Sequence, residues 1–314
     1  MTRIASGILI AVLALFLMPG LAEAKDPKVY DTPDAAASDF IAALGTGTRD
    51  AITNILGDQH NDEIFTDDEA MEKHNRELAF AAAKEKMSLR IDGDDKRTIL
   101  IGKQEWPVPF PIVHTDKGWS FDTDAGVYEL LARRIGADEL AAIAALRAFV
   151  QAEQDYESED RDSDQVLEYA QKFISTPGMK DGLYWDVDPN SNDEASPLGA
   201  FVTAQGGYLE GRDEGDPVRG YHFRILTRQD DGAPGGRYDY IINGNMIGGF
   251  AAIATPSEYG VTGVMTFIVN QQGKVYEKDL GDDTPLEAAA IQSYNLDSGW
   301  QLSKDQTTAA DNSQ

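Results

Sequence analysis

The chain of 314 residues holds four histidines, His60, His74, His114 and His222, and no cysteine. No two of them stand at H-x-x-x-H or H-E-x-x-H spacing, so a histidine zinc site has no sequence signature, and thiolate chemistry has no residue. No G-x-S-x-G elbow, Walker loop or dinucleotide fingerprint occurs either. What is left is carboxylate chemistry. Asp186, Asp188, Asn190 and Asn192 put oxygen ligands at alternate positions, a spacing that lets side chains curl around one calcium ion at about 2.3–2.6 Å. Ser191 stands where the turn glycine belongs, Pro189 stiffens the loop, and Pro197 replaces the closing glutamate. A solvated loop is the expectation, with calcium as its alternative and no other cofactor. A second constellation joins Glu258 and Asp279, candidate acid and base of a hydrolase, to Arg224, Tyr259 and Lys278 as binding groups. Glu258-Tyr259-Gly260 reads as a loop, where functional groups concentrate. Among 54 acids, however, some pair falls at a working distance by chance. A surface ion pair with Tyr259 capping a sheet is therefore the preferred reading.

The acids also bound the partners. Against 27 Lys and Arg they leave a net charge of −27, which argues against nucleic acid and anionic membrane. At the N-terminus Met1-Thr2-Arg3 precedes an apolar run from Ile4 to Met18, then Pro19-Gly20 and the small-x-small triplet Ala22-Glu23-Ala24. This is the pattern of a secretory signal peptide, expected over residues 1–24 and cleaved before Lys25. The run is shorter than the ~20 residues a spanning helix prefers, so no stable membrane insertion is expected after cleavage. The reading places the protein in the periplasm or outside the cell.

The elements that must position any site follow from periodicity. Thr32-Pro33 caps a helix carrying Phe40 and Leu44, and Thr66 with Glu69 reads as the capping box of another running toward Leu89. Thr98 to Gly102 and the two runs flanking Asp116-Lys117-Gly118 read as a short antiparallel sheet. Ala125 to Tyr156 is the longest helical stretch, interrupted at Gly136, with Leu140, Ile143, Leu146 and Val150 as its core stripe. The acidic run from Glu153 to Asp164 reads as a solvated helix end and linker. A short helix is expected from Asp164 to Ile174 and a helical turn from Ser196. From Gly220 the pattern is β: five strands are expected at 221–227, 238–242, 246–254, 264–270 and 274–280. Asn243-Gly244 has the composition of a type I′ hairpin turn.

The segments Tyr221 to Leu226, Gly236 to Ala251 (GRYDYIINGNMIGGFA) and Pro256 to Gly281, with GWSFDTDAG at 118–126, resemble the exported bacterial domain-of-unknown-function family numbered 2950. That family is uncharacterised, so the resemblance implies export and a fold but no activity. Asn243 to Tyr276 also looks like the globular sheet of pilin-like proteins. Ile4 to Met18 contains no acid of the kind a pilin assembly helix carries, which favours a reused sheet. The fold expected is α+β: N-terminal helices with a short antiparallel sheet, cystatin-like or NTF2-like by analogy, then a long connecting helix and a C-terminal antiparallel meander. The expected divisions are 25–160, a loop-rich connector at 161–219, a β domain at 220–302 and a disordered tail at 303–314. The function expected is a non-catalytic envelope module that binds an unidentified envelope protein or ligand. The alternative is a periplasmic hydrolase acting through carboxylates on cell-wall or polysaccharide material.

Overall fold

The computed structural model describes residues 24–66, 68–161, 163–188, 193–204 and 215–303. The expected leader, the expected tail from residue 304 on, and Asn190 and Asn192 lie outside the described residues. Among those described, no helix is long and apolar enough to cross a membrane.

Four helices open the chain: α1 (Pro33–Thr46), α2 (Arg49–Leu56), α3 (Asn61–Ile64) and α4 (Glu69–Glu85). Thr32 caps α1 as expected, its hydroxyl accepting from the Ala35 amide at 3.2 Å. The cap of α4 is Asp68 rather than Thr66, because its carboxylate accepts from Met71 N at 3.0 Å. The Thr66 amide instead donates to Glu72, which reaches back over the first turn. Helix α4 stops at Glu85, and Met87 onward becomes strand, so the helix is shorter than its apolar spacing suggested.

β1 (Met87–Ile91), β2 (Lys96–Ile101), β3 (Trp106–Pro107), β4 (Ile112–Thr115) and β5 (Gly118–Phe121) form an antiparallel sheet in the order β1-β2-β4-β5, with β3 on β2. α1 packs against β4 and β5, and α4 against β2. Phe40, Leu56, Ile99, Ile112 and Phe121 fill the core between them.

α5 (Thr123–Glu157) then runs for 35 residues without a break at Gly136. At ~1.5 Å per residue it is about 52 Å long, more than one small domain can cover. Val127 belongs to the first core, whereas Ile143, Leu146, Phe149 and Tyr156 belong to the second. Leu140, expected in the core stripe, is 59 % exposed because it falls between the two cores. Asp164 to Ile174 forms no helix; after it come α6 (Gly199–Ala204), β6 (Tyr221–Leu226), β7 (Arg228–Gln229), β8 (Tyr238–Asp239), β9 (Ile241–Ile242) and β10 (Asn245–Met246).

β11 (Ala251–Pro256), β12 (Met265–Asn270), β13 (Tyr276–Asp279), α7 (Thr284–Ala290) and β14 (Gln301–Leu302) complete the chain. The main C-terminal sheet is antiparallel in the order β14-β13-β12-β11-β6. The expected strands at 238–242 and 246–254 are broken, because Gly248 lies against Tyr240: a Cβ there would sit 3.0 Å from Asp239 O. The expected turn is present, with Asn243 and Gly244 both left-handed (φ 56° and 101°) between paired Ile242 and Asn245. The α+β class, the N-terminal helices and the C-terminal meander thus match the sequence reading.

Two glycines on α5 make opposite predictions. A Cβ at Gly126 would lie 2.0 Å from Phe110 Cδ1, whereas one at Gly136 meets nothing within 4 Å. Gly126→Ala is expected to destabilise by about 1–3 kcal/mol through overpacking. Gly136→Ala is expected to stabilise by about 0.4–1 kcal/mol through the unfolded state. Denaturant unfolding of the two variants checks the opposite signs.

Candidate functional site

Steps of four along α5 from Leu130 pass through Arg134, Asp138, Ala142, Leu146 and Val150, so the inward stripe is apolar at both ends and charged in its middle. That middle is where the helix crosses from one core to the other. Arg134 is anchored: its Nη1 donates to Glu63 O at 2.9 Å and its Nη2 to Ile64 O at 2.8 Å, capping α3. Burial lowers the pKa of its guanidinium. Burial also pushes the Asp138 carboxyl up to about 7, against the pull of Arg134 and Arg219, with Asp68 adding to the rise. The next residue, Glu139, ties the helix to the second sheet, Oε1 accepting from Val264 N at 3.1 Å and Met265 N at 3.0 Å.

A tight hairpin faces this stretch. Val218 N donates to Tyr221 O at 2.7 Å, and between them Arg219 and Gly220 are both left-handed, φ 47° and 72°. Gly220 has no room for a side chain, since a Cβ would lie 2.7 Å from Thr262 Cβ and 2.9 Å from Asp138 Oδ2. The loop bearing Glu258 docks on the same spot. Ser257 N donates to Gly220 O at 2.8 Å, and Glu258 N donates to the Thr262 hydroxyl at 3.1 Å.

From α4, Glu72 accepts from Arg49 Nε at 3.1 Å and from Arg76 Nη1 at 3.2 Å. Glu72, Arg76, Arg134, Asp138, Arg219 and Glu258 line a cavity of about 980 Å³ between the lobes. Its apolar lining includes Phe65, Trp106, Val108, Phe110 and Leu130. A smaller, polar pocket of about 460 Å³ joins Arg49, Asp62 and Thr66 to Glu258, which therefore borders both.

Of the five residues expected around a β-sheet site, only Glu258 reaches the cavity. Asp279 is taken up by Tyr259, whose hydroxyl donates to it at 3.0 Å, and by Gly281 N at 2.8 Å. Lys278 pairs with Asp297 at 3.0 Å. Arg224 donates to the carbonyls of Ala288 and Ile291 at 3.0 and 2.7 Å, closing the end of α7. These are three separate structural contacts, and Tyr259 meets Asp279 in one of them. In the acidic loop, Asp186 accepts from the Tyr184 hydroxyl at 2.9 Å. Among the described residues no group of three acids or histidines is placed to hold a metal ion.

Glu153 is the largest departure from the sequence reading. Expected in a solvated acidic run, it is fully buried, with Oε2 accepting from Ala170 N at 2.8 Å and Oε1 without a partner. Burial holds its pKa well above the ordinary carboxylate range. Arg134, Asp138 and Arg219 were also missed. The signal for the first two was present, as charges at core-stripe positions of the longest helix; Arg219 had none, because its place depends on the hairpin.

The Asp138 carboxyl gives a pH prediction. In the unfolded chain an aspartate titrates near ~3.9, and in the folded protein near about 7. Folding therefore takes up a proton between these values, so this contribution to stability is complete below the lower one and is lost as pH rises to the upper. Asp138→Asn should be more stable than the parent at pH 8, and the difference should shrink toward pH 4. Calorimetric melting across that range measures it; a difference that grows toward low pH would contradict the assignment.

A search of curated proteins and one of solved structures gave no match. The family described as "Protein of unknown function (DUF2950)" matches residues 27–302, which take in both cores, the cavity and the loop of Glu258. The chain belongs to this domain family of unknown function.

Proposed function

We propose that the protein is an exported envelope module that binds a ligand in the cleft between its two lobes. The observation that carries this reading is the cavity itself. At about 980 Å³ it is large enough for a small molecule or short peptide. Its lining combines apolar and charged side chains, and they come from five stretches of chain, within 40–79, 101–110, 130–138, 216–222 and 257–262. Most of the charged groups are held by protein partners: Glu72 by two arginines, Arg134 by two carbonyls, and Arg133 by Glu129 and Pro107 O. Such groups form a fixed recognition wall rather than a reacting centre. Export is supported by the basic start, apolar run and Ala22-Glu23-Ala24 triplet, and a net charge of −27 speaks against nucleic acid as the partner.

One observation favours the hydrolase as second reading. Asp138, with a pKa pushed up to about 7, and Glu258 line the same cavity. A carboxyl that keeps its proton near neutrality suits a general acid. The pair would then be Asp138 with Glu258, not Glu258 with Asp279.

The neutral fluorophore N-phenyl-1-naphthylamine separates the readings. It should bind the protein, and Trp106→Ala should weaken binding several-fold, while cell-wall and polysaccharide fragments yield no new reducing ends or amines. Release of product that both Asp138→Asn and Glu258→Gln abolish would replace binding by hydrolysis. Absence of probe binding would remove the cleft as a ligand site. Envelope protein is expected to begin at Lys25, and retention of residues 4–18 would overturn the cleaved-export part.

A further inference from the structure

We infer that the cleft takes a zwitterionic ligand with an apolar body, a short peptide with free ends, its ammonium against Glu258 and its carboxylate against Arg219. This rests on the ligand-binding reading of the cleft and goes on to name the ligand's chemistry.

The argument is one of hydrogen-bonding capacity. Glu72, Arg133 and Arg134 are occupied as described above, and His222 Nδ1 lies 2.8 Å from Gly215 O. Glu258 lines the cavity, and its side chain accepts none of the hydrogen bonds found among the described residues. A carboxylate offers about four lone-pair directions, so Glu258 leaves an acceptor surface that a ligand ammonium can satisfy. On the donor side, Nε of Arg219 is sheltered from solvent and has no hydrogen-bond partner among the described residues. Buried donors left in this way are rare in folded proteins, and a ligand carboxylate supplies the missing acceptor.

Balance of charge excludes the simpler ligands. A bare amine would leave Arg219 Nε without an acceptor, in a cavity that already holds the cations of Arg134 and Arg219. A bare acid would meet Glu258, in a protein whose net charge of −27 repels anions from the outset. A molecule carrying both charges satisfies both sides and adds no net charge to a desolvated space. The wall of Phe65, Trp106 and Phe110 then takes the apolar side chains. Trp106 is 65 % exposed, so covering it returns free energy that the charged contacts alone do not supply.

The test uses the full chain and the dipeptide phenylalanyl-phenylalanine, with its N-acetyl and C-amide forms, followed by isothermal titration. The free dipeptide should bind, and either blocking group should weaken it at least tenfold. The variants make the assignment residue-specific. Glu258→Gln should weaken the free dipeptide at least tenfold yet leave the N-acetyl form unchanged. Arg219→Gln should do the same for the free dipeptide and leave the C-amide form unchanged. A blocked dipeptide that binds as tightly as the free one overturns the inference, as does a variant that weakens all forms equally. If no peptide binds while N-phenyl-1-naphthylamine still does, the cleft remains a ligand site and the zwitterion assignment fails. If neither binds, both fail.

Discussion

One helix is common to both hydrophobic cores, and the rest of the structure depends on that constraint. α5 buries Val127 with the N-terminal helices and sheet, and buries Leu146 and Phe149 with the C-terminal sheet. An α-helix of this length bends only gently, so the two lobes are held at a separation set by the residues between the cores. The Glu139 carboxylate, accepting two adjacent amides of the second sheet, fixes the rotation of the helix there. A charge-assisted bond of this kind contributes on the order of 1.5–3 kcal/mol where it is shielded from water. The space left between the lobes is the cleft.

The same constraint explains why the cleft is charged on one side. A helix passing between two cores carries an inward stripe that neither core covers in the middle. Apolar residues there would face water or collapse the lobes onto each other. Arg134 and Asp138 occupy that span instead, and their partial burial is visible in the lowered arginine and raised aspartate pKa values. The hairpin at Arg219-Gly220 and the loop from Ser257 to Gly263 close over them. A non-glycine residue at φ 47° costs roughly 1–2 kcal/mol. The backbone bonds between Val218 and Tyr221, and the close contact of Gly220 with Asp138 and Thr262, hold that conformation in place.

Glu153 shows how far a local charge pattern can mislead. In sequence it begins an acidic run, and its neighbours Asp155, Glu157 and Glu159 do lie toward solvent. The helix continues one turn beyond the point where the acids start, however, and position 153 repeats the inward phase of Leu146 and Val150. Its amide partner, Ala170 N, comes from the segment that was expected to be helical and is instead irregular. The connector could not have formed that helix and still met Glu153, because a helical Ala170 would have spent its amide four residues back. Arg161, over the Tyr156 ring at 4.8 Å and paired with Glu194 at 2.8 Å, helps to hold the connector in this path.

Local chemistry by itself determined much of the fold. Thr32-Pro33 capped a helix and Asn243-Gly244 made a tight hairpin, because each depends on the φ, ψ and side-chain reach of two or three adjacent residues. The richness in aromatic and β-branched residues likewise set the strands at 221–226, 265–270 and 276–279. The match over residues 27–302 agrees with the family resemblance read from those same segments. Tertiary structure alone decided the site. Arg224, Tyr259, Lys278 and Asp279 belong to one sheet and its loop, yet Arg224 is drawn to the end of α7, Lys278 to Asp297, and Tyr259 and Asp279 to each other, since a polar side chain pairs with the nearest complementary group in space. Glu258 shares a cavity with Asp138 and Arg219 only because a hairpin, a loop and the middle of one helix meet where two cores stop short of each other. No periodicity in the chain encodes that meeting; it follows from the length of the helix and from what each end of it buries.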